Sequence, residues 1–517
     1  MKRILYFLLT LLILLSWSSC RKDFEFSPST GSLTFSKDTI YLDTIFTNIG
    51  SSTYNLKVYN RSDEDISIPT VRLGQGQASN YRLNVDGIPG KEFENIELLA
   101  KDSLFIFVET TADIQNLSQI SLEFLYTDVI EFDSGSNLQQ VELVTLIKDA
   151  VFIYPDRDQT TGIVETLTFD SDGDGIADET ELQGRFLEND ELTFTNEKPY
   201  VIYGYAAVNA GDVLTIEAGA RVHFHANSGL IVTGLGSLKV NGALSEDQVL
   251  LENEVIFEGD RLEPLFADIP GQWGTIWLFN NSEANEINYA TIKNATVGIL
   301  TEGNQNDNKL TINNSQIYNS SNFGILARAS SVTAENIVIN SSGQSSFAGT
   351  FGGRYNFTQC TIANYWSNSF RQLPSVLLNN FIVDENNMNV TNDLDEANFN
   401  NCIIFGNDNP EILLDELSTG GAAFNFKFTN CMIRFEDNGN NFVGDNYTLS
   451  NTDLYEDCVF NGNPDFKLPF ENDLRIGDAS AAIEEGSSAF LITNDILGMT
   501  RTTPPDIGAY QHTMFED

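Results

Sequence analysis

The sharpest chemistry-bearing run in the sequence is Asp170 to Glu181, DSDGDGIADETE. A calcium ion takes six to eight oxygens on a tightly curved loop, and acidic residues at positions one, three and five of such a loop converge if the sixth residue permits the bend. Asp170, Asp172 and Asp174 hold those positions and Gly175 holds the sixth. Ile176 offers a main-chain carbonyl at the seventh, Asp178 binds directly or through water, and Glu181 reaches the ion with two oxygens. The run therefore makes Ca2+ the expected cofactor. The alternative is a solvated acidic hairpin, since the run occurs once and Thr166–Phe169 before it reads as strand rather than helix. Other reactive types are sparse. His223 and His225 are two apart, so they share one strand face opposite Val222 and Phe224 and are expected to point outward. A metal there needs a third ligand, and none can be named. Asp384, Glu385, Asp393, Asp395 and Glu396 could supply an acid–base pair, but such a pair works at a fixed separation that the spacing does not define. Solvated loop carboxylates are the simpler reading. Trp273 and Trp277 could stack on sugar rings, or could close the hydrophobic wall of the fold.

These residues sit in a strongly acidic chain. Asp and Glu number 73 against 28 Lys and Arg in 517 residues, a net charge of −45. No basic stripe can be assembled for phosphate contact, which excludes nucleic acid as a partner. Attachment to an anionic membrane by charge alone is excluded for the same reason. With 41% hydrophobic and 20% charged residues the chain is expected to fold.

Lys2 and Arg3 precede an apolar run from Ile4 to Leu15 that is broken only by Thr10. That run is too short for a bilayer, which takes about 20 apolar residues. It reads as a secretory signal over residues 1–19. Ser18 and Ser19 followed at once by Cys20 resemble the lipobox of bacterial lipoproteins. The resemblance implies lipidation of Cys20, a tether over 20–30, and a location at the outer membrane, surface-exposed, with membrane contact through the lipid anchor only. Ordinary signal cleavage beside an incidental Cys is the alternative.

Residues 31–150 carry short strands and no helical pattern. Tyr54 to Asn60 alternates apolar and polar with period two, and Ser103–Val108 and Val141–Leu146 continue the series. The expectation is an antiparallel β-sandwich. Asn48-Ile49-Gly50, the strand ending at Tyr59-Asn60 and then Leu99 to Ser103 resemble the immunoglobulin-like domains of exported bacterial proteins. That resemblance implies a spacer or docking module. Residues 151–195 read as a connector containing the calcium-loop-like run.

Beyond Tyr200 one slot recurs at Ile292, Ile317, Ile339, Ile362, Ile382, Ile404, Ile433 and Phe460, with spacings of 25, 22, 23, 20, 22, 29 and 27. Such a period is one turn of a solenoid whose coils stack parallel strands over a continuous apolar column. Asn314, Asn336, Asn401 and Asn430 fall in register before the slot, where a short amide tolerates a left-handed corner and can ladder with the next coil. Cys360, Cys402, Cys431 and Cys458 occupy one inward position on successive coils, and a stack of buried free thiols is expected in preference to disulfides. The segments LTIEAGARVHFH, GLIVTGLGSLKVNGAL, VIFEG and GQWGTIWL, with PPDIGAYQ at Pro504–Gln511, resemble the right-handed parallel β-helix proteins of the pectin-lyase-like superfamily, in their surface lipoprotein branch. The resemblance covers about 200–517 and implies a helix over 196–475 with a C-terminal cap over 476–517. The fold class expected is thus all-β, a right-handed parallel β-helix behind an immunoglobulin-like sandwich.

Catalytic members of that superfamily would carry a basic residue beside calcium or clustered Asp. No G-H-G, R-x-P-x-x-R or R-x-K occurs, and the third His is only His512. No catalytic residue is assigned. The reading is a monomeric, non-catalytic binding or adhesion scaffold for glycan or a cell-surface component. The alternatives are a polysaccharide lyase or glycoside hydrolase, and a structural surface component.

Overall fold

The computed structural model describes residues 25–116, 122–170, 175–303 and 308–515. The expected signal peptide over 1–19, Cys20, Asp172 and Asp174 lie outside the described residues. The chain divides into two compact units, Met1–Lys148 and Asp149–Asp517. The described fold is all-β, with only short 3-10 turns beside the strands, and among the described residues no helix is long and apolar enough to cross a membrane.

The first unit packs two sheets over one core. Tyr54–Tyr59, Ser103–Thr110 and Tyr81–Val85 run antiparallel in one sheet. Ile66–Leu73, Glu123–Phe132 and Gln139–Lys148 do so in the other. Alternation decides the core: Leu56, Val58, Ile106, Val108, Val141 and Leu143 are all buried, while their sequence neighbours face outward. The purely antiparallel expectation is corrected at two edges. Thr39–Phe46 pairs parallel to Gln139–Lys148, and Ser27–Pro28 pairs parallel to Ile66–Leu73.

The second unit is a stack of parallel strands. An 11-stranded sheet climbs from Val151–Ile153 through Tyr200–Ile202, Arg221–Phe224 and Val255–Gly259 to Val459–Phe460. Its register joins the expected slot rung by rung: Ile292 to Ile317, Ile339, Ile362, Ile404, Ile433 and Phe460. Ile382 is not in it. Phe381–Val383 pairs antiparallel with Asn389–Thr391 as a hairpin, Ile382 is 44% exposed, and Ile362 pairs directly with Ile404. That coil therefore carries an insertion, and the spacings of 20 and 22 are parts of one longer turn. An 18-stranded sheet forms the remaining walls as two ladders, which merge where Phe323–Glu335 and Phe347–Thr358 run through both. Together the ladders enclose one apolar column in which Phe224, Phe257, Ile292, Phe357 and Phe399 are fully buried. This is a β-helix-like parallel solenoid, held by stacking of each coil on the next.

Residues 151–195 are not a bare connector. Val151–Ile153 starts the first ladder, and Asp178–Phe186 and Thr193–Phe194 start the other two. The corner expected from the Asn residues is present: Asn314, Asn336, Asn401 and Asn430 have φ of 47, 51, 52 and 48°, joined by Gln359 and Asp457 at 54 and 49°. Asn336 Nδ2 donates to Asn314 Oδ1 at 3.1 Å. Cys360, Cys402, Cys431 and Cys458 are free thiols, the first three buried. Their Sγ atoms donate to main-chain carbonyls, as Cys431 does to Phe399 at 3.2 Å, and burial pushes the thiols of Cys360, Cys402 and Cys431 up.

Residues 474–515, which include the segment expected as a C-terminal cap, lie along the outside of the 11-stranded wall. Leu474, Ile496, Ala509 and Tyr510 pack on Val338 and Ala363, and Ile476, Ala482 and Ile507 pack on Ile403 and Met432. The corner side chains hold this strap: Asn336 Nδ2 donates to Asn494 O, Gln359 Nε2 to Asp506 O, and Asn401 Nδ2 to Ser487 O. Gly508 has φ of +100°, and a Cβ there would meet Ile403 Cδ1 at 2.7 Å, so the PPDIGAYQ run needs glycine where it touches the wall.

Candidate functional site

The acidic run begins where the strand Thr166–Phe169 ends. Asp170 Oδ2 accepts the Gly175 N–H at 3.0 Å, and Gly175 has φ of +86°, the left-handed bend its position demands. Ile176 is exposed and Asp178 starts the strand Asp178–Phe186, pairing with Phe169. Asp178 and Glu181 are three apart on that strand, so their side chains leave opposite faces. Among the described residues no three His, Cys, Asp or Glu side chains stand close enough to hold a metal.

His223 and His225 share a face, as alternation requires, but His223 is buried rather than solvent-facing. Its Nδ1 lies 3.2 Å from Gly259 O and 3.7 Å from Glu258, which Lys293 also engages at 2.8 Å. Burial lowers its pKa below the usual histidine range. His225 pairs with Asp260 at 2.7 Å and stacks on Tyr203 at 4.3 Å. Burial and the nearby Asp260 push the Tyr203 phenol up to about 12.

Of the carboxylates between 384 and 396, Glu385 is exposed on the inserted hairpin and the other four are committed to structure. Asp384 Oδ1 accepts the N–H groups of Asn386 and Met388 inside the inserted hairpin. Asp393 accepts Ala423 N–H at 2.7 Å, Asp395 faces Arg354 at 3.6 Å, and Glu396 accepts from Asn356 and Asn398. The two tryptophans separate. Trp273 is 1% exposed, stacks on Phe224 at 4.2 Å and donates Nε1–H to Lys293 O, so it belongs to the core and cannot meet a sugar. It precedes the strand Ile276–Leu278, outside the alternation that would have told its direction. Trp277 lies on the outer surface, half-buried, and donates to Glu302 at 2.7 Å.

Trp277 is one rung of a feature the sequence reading missed. On one ladder of the 18-stranded sheet the outward column reads Phe186, Ala207, Ile231, Trp277, Leu300, Leu326, Ala348, Leu377 and Leu413. The first rungs are covered by Leu167 and Phe169 of the acidic hairpin. Farther on, Val297, Phe323 and Leu373 flank the column, and Phe370 is 86% exposed. Where hairpin and column meet, a groove of about 770 Å³ is walled by Phe169, Phe186 and Phe279, with Asn209, Asn280 and Asn281 as polar lining. Phe279 stands edge-on to both Phe169 and Trp277, with centroids 5.0 and 5.3 Å away. The available signal was Trp277 and Phe279 at i and i+2 on one strand face.

No family model matches the chain, and no curated protein matches it. Among solved structures it is similar to a family 123 glycoside hydrolase from Clostridium perfringens, at 7% identity and TM-score 0.17 over 23% of this chain; the chain spans 29% of that structure's length. It is similar to a PapD-like domain of human CEP192, at 13% identity and TM-score 0.15, over 26% of this chain and 94% of that one. It is similar to the catalytic unit of a GH87 alpha-1,3-glucanase from Streptomyces thermodiastaticus, at 10% identity and TM-score 0.20, over 73% and 79%. Superpositions this slight carry no argument for an activity.

Proposed function

We propose that the protein is a non-catalytic binding scaffold that engages a glycan or another surface component through the outer wall of its solenoid. The observation that carries this reading is the aromatic-walled groove at Phe169, Phe186 and Phe279 beside Trp277. Sugar rings offer apolar C–H faces to aromatic rings and hydroxyls to amides, and Asn209, Asn280 and Asn281 supply the amides. The wall repeats at the strand spacing, about 4.8 Å, which suits a repetitive polymer. Asp384, Asp393, Asp395 and Glu396 are spent on turns, amide ladders and an ion pair, which favours binding over bond cleavage.

Finer assignments belong to the same reading: right-handed winding of the β-helix, an immunoglobulin-like spacer before it, a lipid anchor at Cys20 holding a monomer at the outer membrane, and Ca2+ in the Asp170–Glu181 loop. Right-handed crossover is the rule for parallel strands of one sheet. Calcium would draw on Asp170, Asp172, Asp174, Ile176 and Asp178, without Glu181, which leaves the other face of the strand, and would tie the hairpin that roofs the groove. A panel of neutral and acidic polysaccharides tests the main claim. Retention on a polymer without new reducing ends or unsaturated products is expected, and cleavage would overturn it. A melting midpoint that ignores chelator would remove calcium, and a Cys20→Ser chain that still carries a lipid label would remove the anchor.

A further inference from the structure

The 11-stranded wall carries a second cavity, separate from the groove. Outward side chains of three consecutive coils, Phe405, Arg434 and Asn461, form one column on that wall. The strap covers the same wall at Val338, Ala363, Ile403 and Met432 but stands off Arg434. The space left is about 520 Å³, lined by Arg434, Glu436 and residues 461–466, with the touching rings of Tyr365, Phe405 and Phe466 in its wall.

Arg434 is the unusual group here. Its Nη1 donates to Gly406 O at 2.7 Å and its guanidinium lies over the Phe405 ring at 5.3 Å. Cations on the neighbouring coils are matched by carboxylates: Arg371 by Glu411, Arg354 by Asp395 and Lys427 by Glu456. Arg434 has no such partner among the described residues, in a chain with 73 acidic side chains. The two acids that line the cavity accept from neutral donors instead, Glu436 from Asn409 Nδ2 and Asp465 from the Ala479 N–H. Tyr365 stacks edge-on to Phe466 and Phe470, and its hydroxyl makes no hydrogen bond among the described residues. Burial pushes that phenol up to about 12 although Arg434 pulls it down, so it stays a donor at neutral pH.

We propose that this cavity binds the carboxylate of a small organic acid whose flat apolar body lies against the ring cluster of Tyr365, Phe405 and Phe466. A guanidinium and a phenol supply donors that a carboxylate accepts from both. The aromatic walls take the body, and Glu436 and Asp465 disfavour a second negative charge on the ligand. The site does not depend on the glycan reading and shares no residue with the groove.

The test titrates the full chain with benzoate, its neutral isostere benzamide, and inorganic phosphate, read by ligand-observed NMR. Benzoate is expected to bind saturably at millimolar concentration, with benzamide and phosphate at least about tenfold weaker. Arg434→Gln should lose about tenfold or more in benzoate affinity and Tyr365→Phe a few-fold, while Lys427→Gln, away from the cavity, leaves it unchanged. Arg434→Lys keeps the charge but not the planar fork, and should keep part of the affinity, which separates loss of the site from loss of the fold. No saturable benzoate binding, equal binding of benzamide, or an unchanged affinity in Arg434→Gln would each overturn the proposal.

Discussion

Two walls of the same solenoid obey one alternation and end differently. On the 11-stranded wall the outward Val338, Ala363, Ile403 and Met432 are fully buried, because the chain's own later residues lie over them. On the other wall the outward Trp277, Leu300 and Leu413 remain partly open, and the hairpin covers only the first rungs. Both walls present apolar columns outward, so the pattern of a strand alone does not say whether a column is structure or surface. What decides it is a segment elsewhere in the chain.

The comparison can be broken most forcefully at the buried ion pair beside the open wall. Arg371 and Glu411 are 4% and 0% exposed and meet at 2.6 Å, with Ser375 also donating to Glu411. Glu411→Ala strands the guanidinium, and a loss of about 3–5 kcal/mol is expected in denaturant unfolding. Tyr510→Ala takes one buried ring out of the strap and should cost about 3 kcal/mol in the same measurement, with faster amide exchange at Val338 and Ala363.

Lys309 tests the groove from behind. It is fully buried and its Nζ donates to Phe279 O at 2.5 Å. Burial lowers its pKa to about 7. The unfolded chain therefore holds a proton that the folded chain releases between about pH 7 and the ordinary lysine value near 10.4, and stability from this group rises with pH across that window. Below about pH 7 both states are charged and the slope vanishes. Lys309→Met should remove that rise, seen as the difference between the two stability–pH curves. The smallest stability change is expected at Trp277→Ala, about 1 kcal/mol, because the ring is half open. It should nonetheless lower polysaccharide retention. A Trp277 variant that unfolds as readily as the Tyr510 variant would erase the distinction between the walls.

Much of the solenoid was legible because stacking writes a period into the sequence. Five of the seven rung-to-rung steps that start at Ile292 pair as read, the two through Ile382 are replaced by one step from Ile362 to Ile404, and the four thiols and the left-handed Asn corners fall where their spacing put them. Ile382 deceived because a hairpin strand of similar composition fell near the right interval. Trp273 and His223 deceived for another reason: alternation fixes a side relative to the strand, but Trp273 stands outside the strand and His223 lies on an outward side that is closed over. The strap and the groove were hidden because both join segments far apart in sequence, and no local pattern records that meeting.

The strap also orders events during synthesis. Asn336, Gln359 and Asn401 bond to residues 487–506, so the clasps that fasten those coils are made after the coils themselves. Until they arrive, each finished coil shows a greasy flank to whatever is nearby. A chain cut after residue 480 would keep the ladders through Phe460 but leave Val338, Ala363, Ile403 and Met432 without most of their cover, and should be prone to stick to its neighbours.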